Sequence, residues 1–475
     1  QRIANMHAQR FLLQGQALLG LQRFDEAEAA LGLAARESST FAAEALLTLA
    51  KRQMRQGDHS SARKSFQEID RRFSKTIVAD DAGYFAAWLA MQSGDDQIAA
   101  QEFQAWEEAH PQARKRDEAR WFRALAFIHQ KRFAESRQTL AALVRDYPQS
   151  SLVPQARYWA ARSADLLGDG TRADGGDTSV AADEYSDLIR QFPGSFYARL
   201  AAERLSERGM APAAPFTAIS SVAVRSIPPE LKLAVLLTRA GLLIDAREEI
   251  DRLVTRIQTA AEAARFGRAL QSIGEFGAAY ALSARLLWGA AFSQKDDEAL
   301  ALMFPRAFAS NVTDASQDYG IDPHLAWAIM RRESAFRPEV QSSADARGLM
   351  QIIPPTASAI SSTLGIEAPH PDELFSPETN IRLGVWYLSA LMKRFGHPAL
   401  VAAAYNAGPS AAVKWIRQKP ELPIDLFIEE IPYKETRGYV KQVVGDLFIY
   451  QALWGDRVGR LSLELPASIG DGVTF

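Results

Sequence analysis

A repeating interval of 37 residues organises the first part of the chain. Gly57-Asp58, Ala62, Phe66 and Phe73 recur 37 positions later as Gly94-Asp95, Ala99, Phe103 and His110. The same step leads on to Lys131, Ser136, Leu140 and Tyr147, and Pro148 follows Tyr147 as Pro111 follows His110. A further copy ends at Tyr185, Phe192 and Pro193, displaced by 45 positions. The Gly- and Asp-rich insertion from Gly168-Asp169-Gly170 to Gly175-Gly176-Asp177 accounts for the excess and reads as a surface loop. Phe24 to Leu31 marks an earlier copy. One supersecondary unit of this length cannot bury its apolar face alone, so the copies are expected to stack as helix–turn–helix hairpins. Small residues at the shared position (Ala62, Ala99, Ser136) let paired helices approach closely. A non-repetitive helical bundle is the alternative, and it has no reason to keep a constant offset.

The period resembles that of tetratricopeptide arrays, which curl into a superhelix. After about residue 206 it dissolves. Met210 to Pro215 is Pro- and Ala-rich and reads as a linker, and Pro228-Pro229 opens another helix. Leu233, Leu236, Leu237 and Ala240 fall on one apolar helical face, and Ala263 to Ala281 favours helix. Strand signals are weak throughout. The expected fold is mostly α in three parts: a superhelix over 1–205, a helical linker domain over 206–306 and a third domain over 307–475.

A chain of 475 residues exceeds a single-core domain. Its formal net charge is −3, and from Arg306 onward there are 16 basic and 19 acidic residues, so no half is basic as a nucleic-acid partner would require. No apolar run is long enough to span a bilayer. With no cysteine, disulfides and thiolate metal sites are excluded, and the seven histidines show no paired metal-ligand spacing.

The chemistry concentrates in the third part. Asp322-Pro323 is a helix start, with Asp as N-cap and Pro at the first helical position. Leu325, Ile329, Glu333 and Phe336 then share one face, while Arg331 and Arg332 point elsewhere. A carboxyl on a mostly buried face loses hydration, which raises its pKa and keeps it neutral, as a general acid must be. The competing reading is an ordinary helical Glu paired with Arg332 or Arg337.

Five segments in order resemble the soluble, lysozyme-like lytic transglycosylase family. They are Glu333-Ser334-Ala335-Phe336; Gly348-Leu349-Met350-Gln351-Ile352 with Pro354 and Thr356; Asn380-Ile381 with Gly384 and Tyr387-Leu388; Ala404-Tyr405-Asn406-Ala407-Gly408-Pro409; and Ile431-Pro432-Tyr433 with Glu435 to Val440. One departure is visible: Asp345 stands where the family usually has Gly. It alters the turn leading to Gly348 or brings a second carboxylate towards the cleft.

The resemblance implies a lysozyme-like catalytic domain over 307–475 that cleaves the β-1,4 bond between N-acetylmuramic acid and N-acetylglucosamine in peptidoglycan. Glu333 would act alone, leaving a 1,6-anhydro end, without metal or cofactor. The implied substrate-binding set is Ser342, Met350, Gln351, Tyr405, Asn406, Glu435 and Tyr439. Read without the motifs, Gln351 is equally a surface amide, Tyr405 a core residue, Asn406 a helix cap, and Glu435 with Tyr439 a solvated helical face. The resemblance also implies a periplasmic home with a leader removed, glycan strands as partner, and other cell-wall enzymes as candidate partners of the superhelix. Two alternatives stay open: a lysozyme-like hydrolase with Asp345 or Glu435 as base, and a non-catalytic peptidoglycan adaptor.

Overall fold

The structure is a computed structural model that describes residues 2–37, 39–74, 76–168, 180–212, 214, 216–219, 227–294, 296–473 and 475. The insertion expected to form a surface loop lies outside the described residues, apart from Gly168. Among the described residues β-pairing is confined to the isolated bridges Gln341–Arg347, Arg347–Ile352 and Pro423–Glu464, so the fold is all-helical in architecture. No helix among them is long and apolar enough to cross a membrane.

The chain forms two compact units, Gln1–Glu184 and Tyr185–Phe475. The first begins with helices α1 (Arg2–Gly20), α2 (Phe24–Ala35), α3 (Thr40–Arg55) and α4 (His59–Phe73). It continues through α5 (Ile77–Gln92), α6 (Asp96–Ala109), α7 (Arg116–His129), α8 (Phe133–Asp146) and α9 (Val153–Leu166), and α10 (Val180–Gln191) carries the chain across the boundary. From α1 to α9 each helix packs on the next, and α1, α3, α5 and α7 also touch in series. That pattern is an array of stacked hairpins with the odd helices along one wall, as the repeat requires.

The repeat positions explain the stacking. Ala62, Ala99 and Ser136 are fully buried, as are Phe66, Phe103 and Leu140 four residues later. A small residue lets the helices close, and a large one on the same face fills the space behind it. The turn before each even helix needs a left-handed residue. Gly57 and Gly94 supply it at φ +82°, whereas Lys131 occupies the third turn at φ +57°. A side chain there costs about 1–2 kcal/mol.

The second unit opens with α11 (Phe196–Glu207), α12 (Lys232–Arg239), α13 (Leu243–Arg256), α14 (Ala260–Ser272) and α15 (Phe276–Leu286). Next come α16 (Trp288–Ser293), α17 (Asp297–Met303), α18 (Ala309–Tyr319), α19 (Pro323–Glu333) and α20 (Pro354–Leu364). The last helices are α21 (Pro377–Phe395), α22 (Pro398–Ala407), α23 (Pro409–Gln418), α24 (Ile424–Glu429) and α25 (Lys434–Trp454). Helix α25 is the hub, packing against α11, α19, α22 and α24. Its residues from Val443 to Tyr450 are all buried, so this part of the helix is enclosed on every side.

Two expectations differ from what is observed. The apolar helical face expected of Leu233, Leu236, Leu237 and Ala240 is not a buried one: Leu233 is 52% and Leu236 62% exposed. The buried residues are Ala234 and Val235, with Leu231 just before the helix, because α12 packs on α13 through its smaller side chains. Helix α11, assigned to the repeat by position, belongs to the second unit. Tyr197 donates to Glu429 at 2.7 Å and Arg204 pairs with Asp425 at 2.7 Å.

Replacing Lys131 with Gly is expected to stabilise the first unit by about 0.5–1 kcal/mol in urea denaturation, because the left-handed strain outweighs the entropy glycine adds to the unfolded chain. Gly94→Ala in the equivalent turn is expected to shift the midpoint the other way. Equal shifts of one sign would remove the strain argument.

Candidate active site

Helix α19 delivers Glu333 as its last residue. Asp322 caps its start, accepting from the His324 backbone N–H at 2.9 Å, and Pro323 follows at the first helical position. Leu325 and Ile329 are buried below Glu333 as the helical phase requires. Phe336 is also buried, but it is not on the helix. The chain leaves α19 at Ser334, and Ala335 and Phe336 adopt φ +50° and +64°. This sharp reversal turns the Phe336 ring edge-on to Tyr280 of α15, 5.6 Å between centroids. Left-handed non-glycine residues in succession are costly and persist only where surrounding packing holds them.

No cation pairs with Glu333 among the described residues. Arg331 and Arg332 are both bound by Asp446 of α25. Arg331 Nη1 lies 2.8 Å from Asp446 Oδ2, and Arg332 grips both carboxylate oxygens at 2.6 and 2.7 Å. Among the described residues Arg337 reaches only the Ser334 carbonyl, at 3.4 Å. The ordinary ion-paired reading of Glu333 is therefore not what the structure holds.

The contact Glu333 does make is with Tyr439 of α25, whose hydroxyl donates to Oε1 at 2.5 Å. Burial pushes the Glu333 carboxyl up to about 7, and the nearby charge of Glu435 pushes the same way, while the Tyr439 hydrogen bond works against both. Glu435 and Tyr439 are one helical turn apart on the same face, so a single helix supplies both influences. The hydroxyl protons of Tyr405 and Tyr439 are held well above the usual tyrosine range, first by burial and then by the Glu333 charge.

The loop from Gly348 to Ile352 is fastened opposite. Ser334 Oγ donates to the Leu349 carbonyl at 2.8 Å, and Tyr405 donates to the Met350 carbonyl at 2.7 Å. Asn380, fully buried in α21, accepts from the Met350 N–H at 2.7 Å and donates to the carbonyls of Arg347 (2.9 Å) and Leu374 (2.7 Å). Gly348, at φ +75°, has no room for a side chain: a Cβ would lie 2.1 Å from the Leu374 carbonyl oxygen. Gly384 is equally constrained, since a Cβ would come within 2.3 Å of the Met350 sulfur.

The expected site residues thus fall into two groups. Glu333, Tyr405, Glu435, Tyr439 and the backbone of Met350 converge. The Met350 side chain is instead buried against α21, and the Gln351 amide folds back to donate to Val340 and Gly348 carbonyls at 3.0 and 2.9 Å. Ser342 accepts from the backbones of Ala344 and Ala346, organising the preceding turn. Asn406 accepts from Thr436 at 2.6 Å, joining α22 to α25. Asp345 sits at φ +61°, a conformation natural to the Gly it replaces. Its carboxylate pairs with Arg347 at 2.9 Å and accepts from Gln341 at 2.6 Å, contacts that hold it below the usual range.

Asp446 and the triple role of Asn380 were missed from sequence. Asp446 lies seven residues after Tyr439, two helical turns along the same face and within an apolar run, which is where a signal lay.

Residues 310–428 match the family described as Transglycosylase SLT domain, and 430–458, which include all of α25, match Soluble lytic transglycosylase helical domain. Residues 40–210 match a family described as Outer membrane lipoprotein. A putative soluble lytic murein transglycosylase of Haemophilus influenzae is 42% identical over 156 residues, which are 32% of this chain and 26% of that protein. The soluble lytic murein transglycosylase of Salmonella typhimurium is 38% identical over 162 residues, 34% of this chain and 25% of that one. The matched segment therefore spans about a quarter of these relatives. In fold, the 70 kDa soluble lytic transglycosylase of Escherichia coli superposes with a TM-score of 0.66 at 24% identity, over 94% of this chain and 70% of that one. The stretch 310–458 is thus similar in sequence to the soluble lytic transglycosylases, over about a third of the chain.

Two outcomes are expected at this site. Asn380→Ala removes partners from three backbone groups, and each buried group so abandoned costs about 1–3 kcal/mol. Chemical denaturation is expected to show a loss of several kcal/mol; a loss below about 1 kcal/mol would mean that water or the loop replaces Asn380. For Glu333, the folded-state carboxyl titrates near 7 against an ordinary value of 4.5, so the stability of its neutral form is complete below about 4.5 and lost as pH rises through about 7. Glu333→Gln is therefore expected to match the parent in thermal melts at pH 4 and to exceed it at pH 8, by on the order of 3 kcal/mol. Parallel melting curves across that range would contradict the raised titration.

Proposed function

We propose that this protein cleaves peptidoglycan glycan strands as a lytic transglycosylase, with Glu333 as sole acid and base. The observation that carries the reading is a carboxyl bound by one tyrosine hydroxyl and paired with no cation among the described residues, so that burial pushes it up to about 7. Tyr439 occupies Oε1, which leaves Oε2 to carry a transferable proton. A pKa near the working pH serves both halves of a proton shuttle.

Glu333 gives its proton to the oxygen between N-acetylmuramic acid and N-acetylglucosamine, and the C1–O bond breaks. The substrate's own N-acetyl oxygen relieves the positive charge at C1. The muramoyl C6 hydroxyl then bonds to C1 while its proton passes to the Glu333 carboxylate. The acid is restored, a 1,6-anhydro ring results and no water is consumed. Intramolecular attack replaces the bound water of a hydrolase through its high effective concentration. Ordinary glycosidases need a second carboxylate. Asp345 is engaged by Arg347 and Gln341 and is a weak base, which favours the lyase over a hydrolase built on it. The setting that fits such a substrate is the periplasm, with the hairpin array available for long strands or for other cell-wall enzymes.

Digestion of purified sacculi tests this directly. The released muropeptides are expected to lack the mass of one water and to resist borohydride, because an anhydro end has no reducing carbon. Glu333→Gln is expected to lower turnover by at least about 10²-fold, and the parent's kcat to fall as pH rises above about 7. Reducible products would assign the site to a hydrolase, and a fully active Gln variant would remove Glu333 from the chemistry.

A further inference from the structure

The geometry points to Asp446 as a positioning residue that keeps Glu333 free of cations by holding the two guanidiniums beside it. The inference rests on the reading of Glu333 as the acid, but it concerns a residue outside the motifs that carry that reading.

Three successive residues of α19, Arg331, Arg332 and Glu333, end against one helix. Tyr439 takes the third and Asp446, two turns further along α25, takes the first two. The Asp446 side chain is 4% exposed and that of Arg331 is fully buried, so neither group can be screened by water. Arg331 is immobilised beyond the ion pair: Nε donates to the Met303 carbonyl at 3.1 Å, and the guanidinium lies over Phe304 and Tyr280 at 4.3 and 5.0 Å. Arg332 has no such second anchor among its described contacts. Its hydrogen bonds go to the two oxygens of Asp446, and its side chain is 22% exposed. It is the cation free to move if Asp446 loses its charge, and its sequence neighbour is the acid.

The groups facing Glu333 from the packed elements are Tyr439 and Glu435 from α25 and Tyr405 from α22. None is a cation. Tyr280 of α15 faces the two arginines. An arginine brought against a carboxylate lowers its pKa by about 1–3 units, enough to ionise Glu333 across the neutral range. Asp446 therefore acts on the reaction through Arg332, without touching substrate.

The test is Asp446→Asn in the full chain, with Glu333 followed by NMR of ¹³C-labelled glutamate carboxyls and assigned by loss of the signal in Glu333→Gln. The Glu333 midpoint is expected to fall by roughly one pH unit or more, and the falling limb of the kcat profile to move with it. Asp446→Asn with Arg332→Met is expected to restore both, and Asp446→Glu to retain them. If Asp446→Asn does not fold, the pair Arg331→Met with Asp446→Asn removes the buried cation as well, leaves Arg332 free and carries the same expectation. An unshifted midpoint in the folded variant overturns the inference, as does a pH-independent loss of rate or a shift that Arg332→Met does not reverse. Because the carboxyl is titrated directly, a moved midpoint in a protein whose Gln variant stays active would retain the role of Asp446 while rejecting the proposed chemistry.

Discussion

Asp446 binds two guanidiniums inside the second unit, and the electrostatics around Glu333 follow from that arrangement. A buried carboxylate with two arginines leaves one excess positive charge in a poorly solvated place. The excess is spread over groups that stabilise a cation without neutralising it: the Met303 carbonyl and the faces of Phe304 and Tyr280. Tyr450 stands against the same cluster, its hydroxyl donating to the Pro305 carbonyl at 3.1 Å. With the cations held there, the carboxyl one residue on meets, among the described residues, the tyrosines Tyr439 and Tyr405 and the negative charge of Glu435. Burial then decides its protonation.

The loop facing the acid is built on the same economy of partners. Asn380 satisfies three backbone groups with one side chain, and Ser334 and Tyr405 satisfy two neighbouring carbonyls. Ser334 follows Glu333 directly, so the residue after the acid is hydrogen-bonded to the loop it faces. Side chains this short leave little slack. The left-handed backbone at Ala335, Phe336, Asp345 and Gln351 belongs to the same region, which is where strain is held by packing.

Much of this was legible in sequence, and the failures have identifiable causes. Glu333 could be found because its helix has a clear start and regular apolar spacing. Phe336 kept the helical phase on paper but reaches the core by a backbone reversal, which no periodicity encodes. Asp446 partners residues 115 and 114 positions away, a pairing that local spacing cannot reveal. The Leu face of α12 has the right period, but a period states only that one face is apolar, not which face a neighbour covers. Gln351 is expected as a sugar-binding or a surface amide because nothing in its neighbours shows that the loop's own carbonyls need donors.

The unit that holds the motifs extends further back than they do. A segment starting at 307 would lose Tyr280 and Phe304 from Arg331, and Tyr280 from Phe336. It would lose the close approach of Gly277, where a Cβ would sit 2.4 Å from Arg337 and 3.3 Å from the Ala335 carbonyl, so α15 braces the strained turn after the acid. It would also lose Arg204 from Asp425, whose side chain is completely buried. Removing one partner of a buried ion pair costs about 3–5 kcal/mol. The helices before 307 are therefore part of the structure that sets the protonation of Glu333, and a division that follows the motifs separates Glu333 from that packing.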